Sequence, residues 1–279
     1  MKYKVNIKDY FKNYLLTNKH KFENKVVVDI PSGTGETSEI LLEIGAKVIP
    51  FDLFPEYFKH PHLECKRVNI LEGIPLADQS VDVIICQEGI EHFSDQLKVL
   101  QEFSRILRGN GILIITTPNY SNITQKVSYL LNEGERFNKM MPPNELDSIW
   151  MMDERLSNEI YYGHIFLIGI QKLRVLAKLS GFKIVKTDFH TLKTTALFLL
   201  FFLYPFILIS NCITLFKCYN KNKDFSDKKK KEVYGEIFKL NINPKILVDG
   251  TLCVEFIKEM DLQQVPQHLR SAYSTILVR

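Results

Sequence analysis

Glu88, Glu91 and His92 stand close together in the run Gln87-Glu88-Gly89-Ile90-Glu91-His92-Phe93. On a helix, positions i, i+3 and i+4 share one face, so two carboxylates and an imidazole can converge there. Such a trio can hold a divalent metal that polarises a hydroxyl, and Mg²⁺ would keep several of its waters in doing so. Alternatively, the imidazole can act alone as a general base near neutral pH. His164, in Tyr161-Tyr162-Gly163-His164, is a second candidate base, beside a helix expected over Gly163 to Leu179. Plainer roles are open to the same residues: carboxylates answering the dipole of a first helical turn, and histidines bonded to backbone. His20, His60, His62, His190 and His268 have no comparable setting in the sequence.

A second stretch is suited to binding. Val26-Val27-Val28-Asp29-Ile30 is a β-branched run expected to form a short buried strand. Pro31-Ser32-Gly33-Thr34-Gly35 breaks it, and Ile40, Leu41, Leu42 and Ile44 begin an amphipathic helix. Gly33 and Gly35 lack a Cβ, so the chain can turn tightly and a ligand can lie against the amides of the helix N-terminus. The turn lacks the Gly-Lys-Ser/Thr of a phosphate loop, and Ser38 stands where a dinucleotide fingerprint needs a third Gly or Ala. Asp29 inside the motif suits a cation or hydroxyl better than a pyrophosphate. A ligand with a zwitterionic amino-acid tail and a sulfonium fits these residues.

Further along, Ala46 to Phe51 reads as a second strand ending in Asp52, whose carboxylate can accept from both hydroxyls of a ribose. Cys65 to Ile70 reads as a third strand carrying Asn69, whose carbonyl oxygen can accept from an adenine amino group. Ser80 to Cys86 is a fourth, with Gln87 at its tip. Leu97 to Leu107 is a helix, Gly109 to Gly111 a turn, and Ile112 to Thr116 a fifth strand closing on Thr117-Pro118-Asn119. This alternation argues a doubly wound parallel sheet with its ligand at the carboxyl ends of the strands.

The series Pro-Ser-Gly-Thr-Gly, Glu-Gly-Ile-Glu-His, Thr-Thr-Pro-Asn and Gly163-His164 resembles the class I S-adenosylmethionine (SAM) methyltransferases of the type 11/12-like kind. The resemblance covers nearly the whole chain and is to a bacterial branch associated with surface-polysaccharide or lipid-linked glycan biosynthesis. It implies a Rossmann-like, seven-stranded, mostly parallel sheet with helices on both faces and an antiparallel last strand. It also implies SAM as the cofactor. Asp29, Gly33 and Gly35 would hold its methionine end, Asp52 the ribose and Asn69 the adenine, with Pro31, Ser32, Leu53 and Ile70 also among the cofactor-binding residues. Gln87 would line the floor near the sulfonium. Pro31-Ser32 departs from the commonest Gly-Cys form of the motif. The Glu-x-x-Glu-His stretch is similar to that of ubiquinone-pathway O-methyltransferases, which implies Glu88, Glu91 and His92 as metal ligands. His92 or His164, with Glu91 nearby, would take the proton of a hydroxyl acceptor.

The 279 residues, 46% hydrophobic and 24% charged, suffice for one α/β core with a large insertion. We expect a SAM-binding core over 1–193, with a substrate lid rich in Met and aromatics at 120–162. An apolar insertion and basic loop follow at 194–232, then a C-terminal return at 233–279 with the last strand near Thr251 to Ile257. The five cysteines are scattered and suggest neither a disulfide framework nor a zinc site, which favours a reducing compartment. Ile7, Tyr10, Phe11, Tyr14 and Leu15 recur at helical spacing, in a helix that either covers the cofactor or packs on the sheet.

Thr194 to Phe216 carries no charge and is long enough to span a membrane. If the strand at Lys183 to Phe189 and the last strand share a sheet, however, the insertion must leave and return on one side of any bilayer. Pro205 is expected to split it into two short helices, a shallow hairpin at the interface. Lys217, Lys221, Lys223 and Lys228 to Lys231, against Asp224, Asp227 and Glu232, give a local excess equal to the net charge of the whole chain, +4. Such a cluster attracts anionic headgroups. The expectation is a cytoplasmic protein, peripheral on the inner face of the membrane, acting on a glycan, lipid-linked or small-molecule substrate. Two alternatives are a soluble methyltransferase whose apolar run is a homodimer seam, and a non-catalytic SAM-binding protein that docks at the membrane. No basic stripe with interleaved aromatics suggests nucleic acid.

Overall fold

The computed structural model of the chain describes residues 7–135, 142–146, 148–150, 161–190, 192–221 and 225–271. Its strands in chain order are β1 (Val26–Asp29), β2 (Lys47–Asp52), β3 (Lys66–Arg67), β4 (Val81–Gln87), β5 (Leu107–Pro118), β6 (Ile149–Trp150), β7 (Tyr161–Tyr162), β8 (Phe182–Asp188) and β9 (Thr251–Lys258). The short β6 and β7 pair with each other. The other seven form one sheet in the order β3-β2-β1-β4-β5-β9-β8. All its pairings are parallel except those of β9, which runs antiparallel to both neighbours.

Both faces of the sheet are covered, so β4 reads as a nearly continuous apolar run rather than an alternating one. Ile84 and Cys86 face one core with Val99, Phe103 and Leu173. These come from α3 (Gln96–Ile106) and α5 (Ile170–Leu179). Val83 and Ile85 face the other with Phe11, Leu15 and Leu41, from α1 (Ile7–Thr17) and α2 (Glu36–Glu43). The N-terminal helix therefore packs on the sheet, tied by the Tyr14 hydroxyl, which donates to Glu255 Oε2 on β9 at 2.8 Å.

The strand order reverses between β1 and β4, and ligands of such sheets usually sit at the carboxyl ends of the strands at that point. The register aligns Gln87, Thr116, Cys253 and Asp188 in one row across β4, β5, β9 and β8. The residues just after Gln87, Thr116 and Asp188 thus emerge on one edge.

Four expectations are corrected. The third strand has only two residues, because Asn69 Oδ1 turns back to accept from Leu71 N. Gly109 to Gly111 lies inside β5, where pairing with β4 slips between Val81↔Leu107 and Val83↔Ile112, a bulge rather than a chain turn. The helix after His164 starts only at Ile170, whose N–H donates to Ser121 Oγ at 2.9 Å.

Pro205 does not split the apolar run. α6 (Thr194–Lys221) is one helix of 28 residues, about 42 Å long at the usual rise. Contacts on both sides of the proline hold it together. Leu199, Leu200, Leu203 and Ile207 pack on Ile123 and Val248, which belong to α4 (Ile123–Asn132) and α8 (Pro244–Val248). The Tyr204 hydroxyl donates to Ile242 O, and Asn241 Nδ2 donates to Asn211 Oδ1. Both partners end α7 (Asp227–Ile242), which folds back along α6 and carries Tyr234 against Tyr219. A short α9 (Val265–Arg270) follows β9.

Candidate active site at the carboxyl edge of the sheet

The turn after β1 is braced from below. Ser32 Oγ donates to the carbonyls of Asp29 and Phe51 at 2.7 and 2.9 Å. Gly33 and Gly35 have φ of +52° and +91°, a region where a side chain is strained. A Cβ at Gly35 would also lie 2.9 Å from the Phe58 ring, whereas nothing lies within 4 Å of the Cβ position of Gly33. The Asp52 carboxylate accepts from Gly33 N at 2.8 Å and from Phe54 N at 2.9 Å, so it both shapes the turn and presents its remaining lone pairs. Leu53 O and Asn69 lie beside it. The first accepts from Arg67, and Asn69 Nδ2 donates to Glu72 at 3.1 Å. Ile70 is buried in the core.

Asp29 is fully buried. Its Oδ2 accepts from Ser38 Oγ at 2.6 Å, while Oδ1 has no hydrogen-bond partner among the described residues. Burial pushes its carboxyl up to about 7. An incoming cationic amino group would supply the missing partner and favour the carboxylate. Thr37 on α2 donates to Gln87 Oε1 at 2.6 Å, fastening the helix to the tip of β4. A Cβ on Gly89 would collide with Pro31, so the two halves of the site touch across these small residues. A cradle open at Gly33, a carboxylate beside it and an orphaned acidic oxygen fit the amino-acid and ribose portions of SAM.

Beyond Gln87 the expected α-helix is replaced by a strained turn. Glu88 has φ +47° and Ile90–His92 is a single 3-10 turn. An αL conformation in a residue other than Gly costs about 1–2 kcal/mol, and such strain concentrates at functional sites. Glu91 Oε2 accepts from Thr117 Oγ1 at 2.9 Å, inside the protein. His92 Nδ1 lies 2.6 Å from the carbonyl of Tyr162, so that nitrogen is the donor and Nε2 carries the lone pair. Likewise, His164 Nδ1 lies 2.7 Å from Glu135 Oε2. The rings of His92 and His164 are 5.8 Å apart. One ligand atom each from Glu91, His92 and His164 lies within 4.8 Å of the others, a group that can hold a metal ion. The structure thus brings His164 to the Glu91–His92 pair, while Glu88 lies outside that group.

Burial sets the charges here. It lowers the His92 imidazole, which stays neutral. Burial raises both Glu88 and Glu91; the Glu135 carboxylate adds to this at Glu88, and the Glu88 carboxylate adds to it at Glu91, which is pushed up to about 8. An acid raised by folding holds a proton that the unfolded chain releases. Its stabilising contribution is full below about 4.5 and is lost as pH rises through about 8. Glu91→Gln removes this titration and keeps an acceptor for Thr117. Thermal unfolding followed from pH 5 to 8.5 should show a flatter profile for the variant, more stable than wild type by about 1–3 kcal/mol at the alkaline end. Parallel profiles would place the titration elsewhere.

Glu135 and His190 are site-edge residues that the motifs do not mark. Glu135 follows α4, and its pairing with His164 spans the lid, where no sequence pattern links them. Of the expected lid, residues 136–141, 147 and 151–160 lie outside the described residues.

Residues 4–187 match the family model described as a methyltransferase domain. A protein of Mycobacterium tuberculosis described as a probable S-adenosylmethionine-dependent methyltransferase is 34% identical over 98 residues, 33% of this chain and 35% of that protein. The ubiquinone biosynthesis O-methyltransferase of Haemophilus ducreyi is 27% identical over 159 residues, 48% of this chain and 66% of that one. The chain thus spans about a third of the length of the first curated relatives it matches. In fold, the crystal structure of a SAM dependent methyltransferase from Archaeoglobus fulgidus superposes with a TM-score of 0.52 at 16% identity, covering 90% of this chain and 94% of that chain. With its glycine cradle at the β1 turn and its sheet order, the chain belongs to the class I SAM-dependent methyltransferases, within the methyltransferase-domain family.

Proposed function

We propose that this chain transfers a methyl group from SAM to a hydroxyl oxygen of a glycan, lipid-linked sugar or similar biosynthetic intermediate at the inner face of the cytoplasmic membrane. The observation that carries the oxygen assignment is the His164–Glu135 pair, grouped with Glu91 and His92 just beyond β4. The donor supplies an activated methyl, so the protein must align the acceptor and remove its proton. As the acceptor oxygen bonds to the methyl carbon and the sulfur–carbon bond breaks, His164 Nε2 takes the hydroxyl proton. Glu135 then stabilises the imidazolium.

A metal-assisted form of the same reaction has its own support in the grouping of Glu91, His92 and His164. A divalent ion held there would lower the pKa of an acceptor hydroxyl. Two imidazoles with one carboxylate suit zinc or iron better than the expected Mg²⁺, which prefers oxygen ligands.

Support for the membrane comes from α6. Phe198, Phe202, Phe206, Ile209, Ile213 and Phe216 recur every three or four residues and are exposed, Phe206 by 68% and Phe216 by 71%. Its opposite face packs on α4, α7 and α8. By length and composition α6 could cross a bilayer. Because α7 returns beside it with Asp227, Lys228, Lys229, Lys230 and Lys231 in its first turns, a helix lying in the interface is the better fit. Exposed Lys217, Lys221, Lys228 and Lys231 mark the same end for anionic lipid. Co-sedimentation with vesicles of mixed neutral and anionic phospholipid should retain the wild type and lose Phe202→Asp/Phe206→Asp. A soluble dimer that the same pair of substitutions splits to monomers would assign the face to a second copy instead.

Transfer of radiolabelled methyl from SAM into lipid and glycan extracts tests the reaction. Binding of SAH with no transfer into any extract would favour a non-catalytic SAM-binding protein.

A further inference from the structure

The groups beyond β4 come from two stretches far apart in the chain, and Gln96 ties those stretches together. Gln96 is the first residue of α3, following Asp95, whose carboxylate caps the helix by accepting from Lys98 N. Despite its polar side chain it is buried, 4% exposed. Its Nε2 donates to Ile90 O at 3.0 Å and to Phe166 O at 2.6 Å. Ile90 starts the 3-10 turn that carries Glu91 and His92, and Phe166 lies two residues beyond His164.

Both partners are carbonyls, so only the nitrogen end of the amide can face them, and both of its hydrogens are used. Gln96 Oε1 is then left without a hydrogen-bond partner among the described residues. A buried amide oxygen left unmatched is destabilising, and an apolar residue at this position would avoid that. What the amide supplies is the bridge. A second tie between the stretches runs through His92 itself, from Nδ1 to Tyr162 O. Gln96 therefore joins them without engaging Glu91, His92 or His164, the groups that would move a proton or hold a metal. Before Phe166, Gly163 N donates to Ser148 O, and after it Ile170 N is anchored on Ser121 Oγ. Between those anchors Gln96 fastens the His164 segment to α3. The Phe166 ring also meets Tyr162 edge-on at 5.3 Å between centroids, so the clamp extends to the residue whose carbonyl holds His92.

We infer that Gln96 is a positioning residue: its amide clamps the Ile90–His92 turn to the segment behind His164 and so sets the placement of His164 against His92, whose rings are 5.8 Å apart. This deepens the proposed function and rests on it for the reaction that the clamp serves. Gln96 acts through the groups it holds in place. A misplacement of about 1 Å at a reacting group can cost about a hundredfold in rate, so the clamp should matter to turnover far more than to cofactor binding.

Two variants of the full chain break the bridge. Gln96→Met keeps length and bulk and removes both donors. Gln96→Asn keeps a polar amide, so the fold is retained even where the Met variant does not fold, but it is one methylene shorter and can reach at most one of the two carbonyls. NMR of the histidine-labelled chain loaded with SAH should show cross-relaxation between the His92 and His164 rings in wild type, lost in both variants. Methyl transfer into the extract that gives the strongest wild-type signal should fall about ten- to a hundredfold in kcat. KM for SAM and SAH affinity should stay within about twofold of wild type, which also confirms folding. A lower melting temperature with the ring contact or the transfer rate intact would make Gln96 a residue of stability alone and overturn the clamp, as would a wild type without the ring contact. A wild type that binds no SAH or transfers no methyl would instead remove the methyltransferase reading, while the ring contact still decides for or against the clamp.

Discussion

Asp52→Ala should weaken SAH binding by a factor of about a hundred or more, measured by calorimetric titration. The carboxylate accepts from Gly33 N and Phe54 N, so its loss frees two backbone donors and loosens the turn. On the proposed reading its remaining lone pairs accept from the ribose hydroxyls. Charge-assisted hydrogen bonds contribute about 1.5–3 kcal/mol each, so two of them set a loss of about two to four powers of ten. Asp52→Asn keeps one acceptor and should fall between the two. Gly33→Arg should abolish binding by another route: φ +52° strains the residue, and the open space at its Cβ position would be filled by the side chain. NAD serves as the control ligand and should not bind. A loss below about threefold in Asp52→Ala would show that the ribose is held elsewhere.

The strand, glycine turn and helix around Asp29 were legible in the sequence because their determinants are local. A β-branched run, two glycines and an apolar-periodic helix fix strand, turn and helix within twenty or so residues, and Asp52 follows at the tip of the neighbouring strand. Strand-helix alternation likewise sufficed for the parallel sheet, while the antiparallel last strand came from the resemblance to the class I methyltransferases. The group beyond β4 was legible only as residue types. Glu88, Glu91 and His92 were read as one helical face, but Glu88 turns through αL and the helix shrinks to one 3-10 turn. His164 joins Glu91 and His92 through a lid contact, and Glu135 joins His164 across 29 positions. Such pairings depend on tertiary packing that periodicity does not encode. His190 was passed over for the same reason, since only the register of β8 with β9 and β5 brings its segment to the edge. Pro205 shows the converse error: a strong local signal for breaking a helix was overridden by packing against α4, α7 and α8.

Methyl transfer should fall by about 10²–10⁴ in His164→Ala, the usual contribution of a positioned base, while SAH affinity stays within about twofold of wild type. That split separates a residue acting on the acceptor from one that shapes the cofactor cradle. His164 is favoured over His92 by its partner. A carboxylate 2.7 Å from Nδ1 stabilises the imidazolium that forms, whereas the carbonyl of Tyr162 fixes His92 in place and burial disfavours its protonation. Glu135→Gln should therefore reduce transfer by about ten- to a hundredfold, since the amide can still orient the ring but carries no charge. The assay is the transfer of labelled methyl into the extract that gives the strongest wild-type signal, repeated with a chelator. If Glu91, His92 and His164 hold a metal, the chelator should depress wild type to the level of His164→Ala and leave the variant unchanged. If the histidine is the base alone, the chelator should have no effect on either. Full activity in His164→Ala, with loss in His92→Ala, would transfer the role to the neighbouring imidazole.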